Sequence, residues 1–485
     1  MDKTMDSETT IHFHHALKFR EDICIGCSHC MNICPTEAIR VAHGKAQLHA
    51  NRCVDCGECY RVCPVGAIIV EQDDFENIYS FNTRVALIPS VFTGQFPDSV
   101  DSTEILAAVH ELGFTHVFEV EEGVEFLNDR LQEYIQEHQS VKPLISPFCP
   151  AIVRLIQVKF PTLVGNIILL KAPVDITALH ARKILIDQGV NPTEIGIFYV
   201  TPCAAKIVAV RNPVGEEKSV IDGVINMNYL YNKVFRILRQ KKIKSAIPGF
   251  SILSGKSVCW SLTHGEADNM KQGRSLAIDE INNVIEFLEK VENEEIDGID
   301  FLELRACDES CAGGILCPGN RFITVDKLRK RAISIESNHA TIPEDSREKI
   351  DRDDPFLNEN ISLGEVLPRS ILKLDDNMAE AMSKMKRIYG LNRMLPQVDC
   401  GICGSPTCKS LSEDVVQQQA SIKQCIFVQK ILEQNDKMDI QESIQIMRSI
   451  WSDNKLDQNS LKDELSNPIL QDGVLKDELP QNQNL

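Results

Sequence analysis

One cysteine spacing constrains this chain more than any other feature, and it occurs twice. Cys24, Cys27, Cys30 and Cys34, followed by Pro35, fit C-x2-C-x2-C-x3-C-P, and Cys53, Cys56, Cys59 and Cys63, followed by Pro64, fit it again. The surrounding residues repeat as well, CIGCSHCMNICPTEAI returning as CVDCGECYRVCPVGAI, so residues 1–78 read as a duplicated unit. At this spacing three thiolates of one short loop wrap a cubane, while the fourth crosses to the other cluster. Cys24, Cys27, Cys30 and Cys63 are thereby assigned to one 4Fe-4S cluster, and Cys53, Cys56, Cys59 and Cys34 to a second. Structural zinc is the rival, but it uses two separated pairs rather than four evenly spaced thiols before a proline. Upstream, His12, Phe13, His14 and His15 read as an edge strand rather than a ligand set, because no cysteine group accompanies them.

This module resembles the bacterial two-cluster 4Fe-4S ferredoxins over its whole length. The resemblance implies a wire with two ends, and a wire needs a site to feed. At 485 residues the chain exceeds one ordinary core, and about three units are expected. A formal charge of -19 weighs against unaided binding to nucleic acid or an anionic membrane surface. The first ten residues, MDKTMDSETT, form no secretory signal, and no uncharged apolar run approaches the roughly 18 residues that span a bilayer. A cytoplasmic location and no direct membrane insertion are therefore expected. Eighteen cysteines in a reducing compartment then read as cluster ligands rather than disulfides.

From about residue 80 to 340, short apolar runs alternate with helix-length amphipathic stretches, the pattern of an open α/β sheet. Three of those runs end at a cysteine: PLISPF before Cys149, IGIFYVTP before Cys203 and FLELRA before Cys307. Ligands of open sheets bind outside the carboxyl ends of the strands, so three such thiols would converge there. Cys311 supplies a fourth, enough for a cubane, and Gly313 and Gly314 would admit close backbone approach or form a plain turn. Separate buried cysteines are the alternative on spacing alone. Cys259, beside Trp260, and Cys317 fit no ligand slot and read as core or loop thiols.

SPFCP, TPCAAK and ACDESCAGG resemble the three signature segments of the FeFe-hydrogenase catalytic domain, in the family's order, and FITVDKLRKRA resembles the branch associated with sensing. The resemblance runs over roughly residues 15 to 430. It implies that Cys149, Cys203, Cys307 and Cys311 hold the cubane of an H-cluster, Cys311 bridging to a diiron subsite with carbonyl and cyanide ligands. It also implies that Lys206 hydrogen-bonds a cyanide, whereas the residue by itself could be an ordinary solvated lysine. Some positions depart from the pattern. Phe148 stands where productive relatives relay protons through a cysteine, Ala209 where a relay glutamate is expected, and Thr201 and Arg305 where methionines surround the diiron unit. Fast turnover is not expected. Slow hydrogen chemistry suited to sensing, or a relative holding only the cubane, remains.

The charge-dense stretch 341–372 reads as a linker or surface excursion. Met378, Met382, Met385 and Tyr389 recur at helical spacing and are expected to pack. Residues 373–435 then form a small helical domain, in which Cys400, Cys403, Cys408 and Cys425 would hold one more 4Fe-4S cluster, with zinc as the alternative. A straight helix from Cys408 to Cys425 would separate them by roughly 25 Å, so the chain must reverse. This segment resembles the four-cysteine Fe-S domain of electron-input proteins and sensory hydrogenase-like chains. Residues 436–485 read as a polar tail, disordered or partner-binding. The fold expected is a multidomain α/β chain: a ferredoxin-like module, a central open α/β hydrogenase-like domain and the small Fe-S domain. The expected function is that of a hydrogen-responsive redox sensor or low-rate, ferredoxin-type hydrogenase. The alternative is a non-catalytic electron carrier or scaffold. Hydrogen and protons would be its small ligands, and a redox or signalling protein its partner, through the tail.

Overall fold

The computed structural model describes residues 14–240, 253–339, 350–369, 374–375, 377–452 and 455. His12, Phe13 and nearly all of the expected tail beyond Trp451 lie outside the described residues. The strands, in chain order, are β1 (Leu17–Phe19), β2 (Ile39–Ala42), β3 (Lys45–Leu48), β4 (Ile68–Val70), β5 (Thr83–Ile88), β6 (His116–Glu119), β7 (Leu144–Ile145), β8 (Ile195–Thr201), β9 (Gly223–Asn226), β10 (Ser275–Ile278) and β11 (Phe301–Leu304). No helix among the described residues is long and apolar enough to cross a membrane.

The chain divides into two compact units. The first comprises residues up to 20, 33–38 and 49–372. Its centre is a parallel sheet of order β6-β5-β8-β9. Every residue of β8 is buried, as a near-continuous apolar run must be when helices cover both faces of a parallel sheet. The three strands that lead to cysteines divide between two sheets, because β7 and β11 belong to a second parallel sheet of order β10-β11-β7. Ile145, Ile152, Leu155, Leu288 and Leu302 form the core over that second sheet, and Cys56, Cys149 and Cys203 pack against it. β1 pairs antiparallel with β4 and starts at Leu17, so His14 and His15 precede the edge strand expected at the histidines.

Much of the stretch read as a linker folds onto the first unit. Leu357, Ile361 and Val366 are buried, Ser362 bridges to Leu170, and Arg369 N–H donates to the Gln157 carbonyl at 2.9 Å. Three apolar anchors among the charges suffice for this, and charge density alone concealed them.

The second unit comprises residues 21–32, 39–48 and 373 onward, so it joins a ferredoxin loop and hairpin to the C-terminal cysteine segment. The β2–β3 turn is His43-Gly44, with φ of 52° and 68°, the double left-handed geometry of a two-residue type I′ hairpin. Val41 N–H donates to the Gly404 carbonyl at 2.9 Å, and a Cβ on Gly404 would meet the Val41 carbonyl oxygen at 2.3 Å. Arg40 grips Asp414 with two nitrogens at 2.5 and 3.1 Å, both side chains buried. Such a buried bidentate pair sets the register of hairpin on helix.

Candidate metal centres

In the central site each thiol follows from local chain chemistry. Cys149 caps the helix Pro150–Lys159, Cys203 caps the helix Ala204–Arg211 just beyond β8, and Cys307 follows β11. Cys311 lies in the short turn Ser310–Gly313. Gly313 is obligatory there, since a Cβ would meet the Asp308 carbonyl oxygen at 1.9 Å. The four sulfurs share one field: Cys203 feels Cys311 and Cys149, and Cys307 feels Cys203, Cys149 and Cys311. Burial pushes the Cys203 thiol up to about 12, against the pull of Lys206, and pushes Cys307 well up too. Cys203 and Cys307, desolvated and set in the field of neighbouring sulfurs, resist ionisation unless a cationic centre compensates them, which is chemistry that suits cluster ligands.

Lys206 places Nζ 3.3 Å from Cys311 Sγ. Burial alone would lower its pKa, but Cys311, Tyr199 and Cys203 outweigh that and raise it, so the ammonium stays charged. It is therefore no ordinary solvated lysine. Its Nζ also sits 4.3 Å from the centre of the Phe148 ring, and the Arg305 guanidinium sits 4.2 Å from that centre. Trp260 meets Phe148 edge-on at 4.4 Å. Arg305 is held by two buried glutamates, Nη2 lying 2.6 Å from Glu266 and 3.4 Å from Glu303. Ser146 Oγ donates to Glu266. Arg305 Nε and Nη1 and Trp260 Nε1 are buried without a hydrogen-bond partner among the described residues. With Lys206, which reaches Cys311, these unpartnered donors around Phe148 suit an anionic group. Ala209 lines a neighbouring cavity of about 100 Å³ with Phe148, Lys206 and Asp175, whose carboxyl burial pushes up to about 6. Glu266, Glu303 and Asp175 carried no signal in the sequence, because no motif marks a pairing that only the fold creates. Thr201 Oγ1 binds the Cys203 carbonyl at 2.9 Å. Cys317 lies beside the site, Sγ 3.4 Å from the Cys311 carbonyl oxygen, whereas Cys259 points to the Leu328 carbonyl region at 4.0 Å.

One ferredoxin-type set gathers within the same unit. Cys53 feels Cys34 and Cys59, and Cys56 feels Cys34, so the cysteine that crosses from the first motif lies with the second. Asp55, between two of them, is fully buried and accepts from His15 Nδ1 at 2.7 Å and Ala16 N–H at 3.0 Å. This set borders the central site: Arg61 Nη2 donates to the Gly313 carbonyl at 2.8 Å, and Gly57 abuts Ile315. Of the other set, Cys24, Cys27 and Cys30 lie in the second unit and Cys63 in the first.

In the second unit Cys403 feels Cys425, Cys400 and Cys408. The helix Cys408–Val416 ends, the chain turns through Ile422–Gln424, and Cys425 returns to a core shared with Leu395, Cys408 and Leu411. The required reversal is present. Asp399 Oδ1 fixes the start of the helix by accepting the Cys408 N–H at 2.7 Å. Contrary to the packing expected, Met378, Met382, Met385 and Tyr389 are exposed.

Parallel sheets ending in clustered thiols, flanked by further tetrads, define an iron-sulfur protein. Comparison with known families agrees segment by segment. Residues 23–67 match the 4Fe-4S dicluster domain, residues 83–246 the iron only hydrogenase large subunit, C-terminal domain, and residues 395–427 a family described as "Putative Fe-S cluster". The chain is thus hydrogenase-like, with a ferredoxin-type segment before that domain and an Fe-S segment after it. Cys149, Cys203 and Lys206 lie inside the hydrogenase match, and Cys307 and Cys311 beyond it. No curated protein matches. Solved structures that resemble it include an FeFe-hydrogenase caught in stepwise H-cluster assembly, at 14% identity and TM-score 0.41, covering 61% of this chain and 96% of that one. An FeFe-hydrogenase variant from Chlamydomonas reinhardtii matches at 14% identity and TM-score 0.40, covering 59% and 94%.

Proposed function

We propose that the chain is a hydrogen-responsive redox sensor, or a hydrogenase of low turnover, working in the cytoplasm. Two 4Fe-4S clusters in residues 23–67 and one at Cys400, Cys403, Cys408 and Cys425 would carry electrons to and from an H-cluster-type centre. Cys149, Cys203, Cys307 and Cys311 would hold that centre's cubane. The observation that carries this reading is Lys206 Nζ at 3.3 Å from Cys311 Sγ, whose field is shared by three more half-buried thiols. A diiron group, when bound at Cys311, would supply the hydrogen-binding metal. Around it Lys206 donates and stays cationic, while Arg305 adds a second fixed positive charge. Both draw electron density from an anionic ligand.

Low turnover follows from Phe148, because a phenyl ring accepts no proton and here stands between the two cations. The Arg61–Gly313 hydrogen bond, and the apolar core against which both Cys56 and Cys203 pack, support an electron path from the second ferredoxin-type cluster. Output would pass to a redox or signalling protein. The test is to load the protein anaerobically and record visible absorbance under hydrogen and under argon. Slow reduction of the iron-sulfur bands under hydrogen alone is expected. Identical spectra under both gases, with iron fully loaded, would leave an electron carrier.

A further inference from the structure

The helix Met378–Met394 leaves one face without a partner. Met378, Met382, Met385 and Tyr389 are spaced i, i+4, i+7 and i+11, a single stripe about 16 Å long. They are 75%, 57%, 43% and 64% exposed, while Ile388 is buried on the packed side. Folded chains scatter single apolar residues over their surfaces, but a contiguous large stripe marks an interaction site. Methionine is also the apolar side chain best able to adapt to a partner's shape.

The rim is positive. The helix carries Lys384, Lys386, Arg387 and Arg393 against the single acid Glu380, in a chain of net charge -19. Lys384 is neutralised by Asp375 at 2.8 Å and Arg387 lies on the opposite side of the helix, but Lys386 and Arg393 flank the stripe, are exposed and have no ion-pair partner among the described residues. Beyond the helix, Val398 and Ile402 are exposed on either side of Cys400, the exposed member of the C-terminal tetrad.

We propose that this face docks an acidic redox protein, which exchanges electrons through the Cys400 side of the C-terminal site. This rests on the reading of that tetrad as an iron-sulfur centre. The apolar stripe would form the desolvated middle of a small contact of the electron-transfer kind, below about 1,200 Å². Lys386 and Arg393 would steer the partner in and confer salt dependence. A second copy fits poorly, since two such faces would set like charges against each other.

The full chain, anaerobically loaded and assayed for iron, is mixed with fluorescently labelled acidic flavodoxin as probe. Anisotropy reads binding, and stopped-flow reads reduction by flavodoxin hydroquinone. Affinity should fall with salt. M382E/M385E should weaken binding by about tenfold or more, as charges placed in a desolvated contact do, and K386E/R393E should flatten the salt dependence. Reduction by dithionite should stay unchanged in both variants. Unaltered flavodoxin affinity in both variants overturns the proposal. A concentration-dependent dimer lost in M382E/M385E overturns it in favour of a second copy. If ending the chain at Lys455 newly exposes the methionines to peroxide, the chain's own tail is the occupant and the proposal fails. Binding without electron transfer overturns the exchange role where the C-terminal iron is present, and overturns the cluster reading where it is missing.

Discussion

Replacing Arg305 by methionine leaves two carboxylates stranded. Arg305 is 1% exposed, Glu303 0% and Glu266 2%, so no solvent replaces the lost cation. Removing one partner of a buried ion pair costs about 3–5 kcal/mol, most of it the desolvated charge left behind. Burial already raises the Glu266 pKa, and Arg305 opposes that rise. Without Arg305 the pKa climbs further, the folded protein holds the proton more tightly, and the deficit shrinks as pH falls. R305M should therefore lose stability most at pH 8 and recover part of it by pH 5. R305M/E266Q/E303Q should regain most of the loss at every pH. Urea unfolding, followed by the fluorescence of Trp260 against Phe148, reads both variants. A loss at pH 8 within about 0.5 kcal/mol, as at an ordinary surface site, or a triple variant no better than R305M, would refute the reasoning.

F148C should raise hydrogen evolution in maturation-loaded protein, measured by gas chromatography; no rise with iron content preserved would sink the proton-path reasoning. R40L should destabilise the second unit by about 3–5 kcal/mol, and R40L/D414L by much less, because the double change leaves no unpaired buried charge; thermal melts of the two decide. Burial, with Glu119 adding, lifts the Glu121 carboxyl from 4.5 to about 7. The folded form thus binds that proton more tightly, so stability should fall by about 3 kcal/mol as pH rises from 4.5 to 7. E121Q should flatten that slope in melting temperature against pH.

The parts of this protein written as local chemistry were legible in its sequence. Cysteines that gather from a few residues apart reveal their grouping by spacing, and apolar runs ending at Cys149, Cys203 and Cys307 announce strand ends whatever sheet they join. Partition into two sheets was not legible, since nothing in β8 or β11 names its neighbour. Arg305 read as an intrusion, because its partner Glu266 lies 39 positions away and pairs only through the fold. The methionine stripe shows the limit of periodicity: a face meant for the core and a face meant for a partner share one spacing.

Infrared spectroscopy of protein purified anaerobically after co-expression with hydrogenase maturation proteins tests the central claim most directly. The account predicts carbonyl and cyanide stretches, shifted in R305M as a cationic donor is removed. A spectrum empty of both, in protein with every iron-sulfur site loaded, would contradict it.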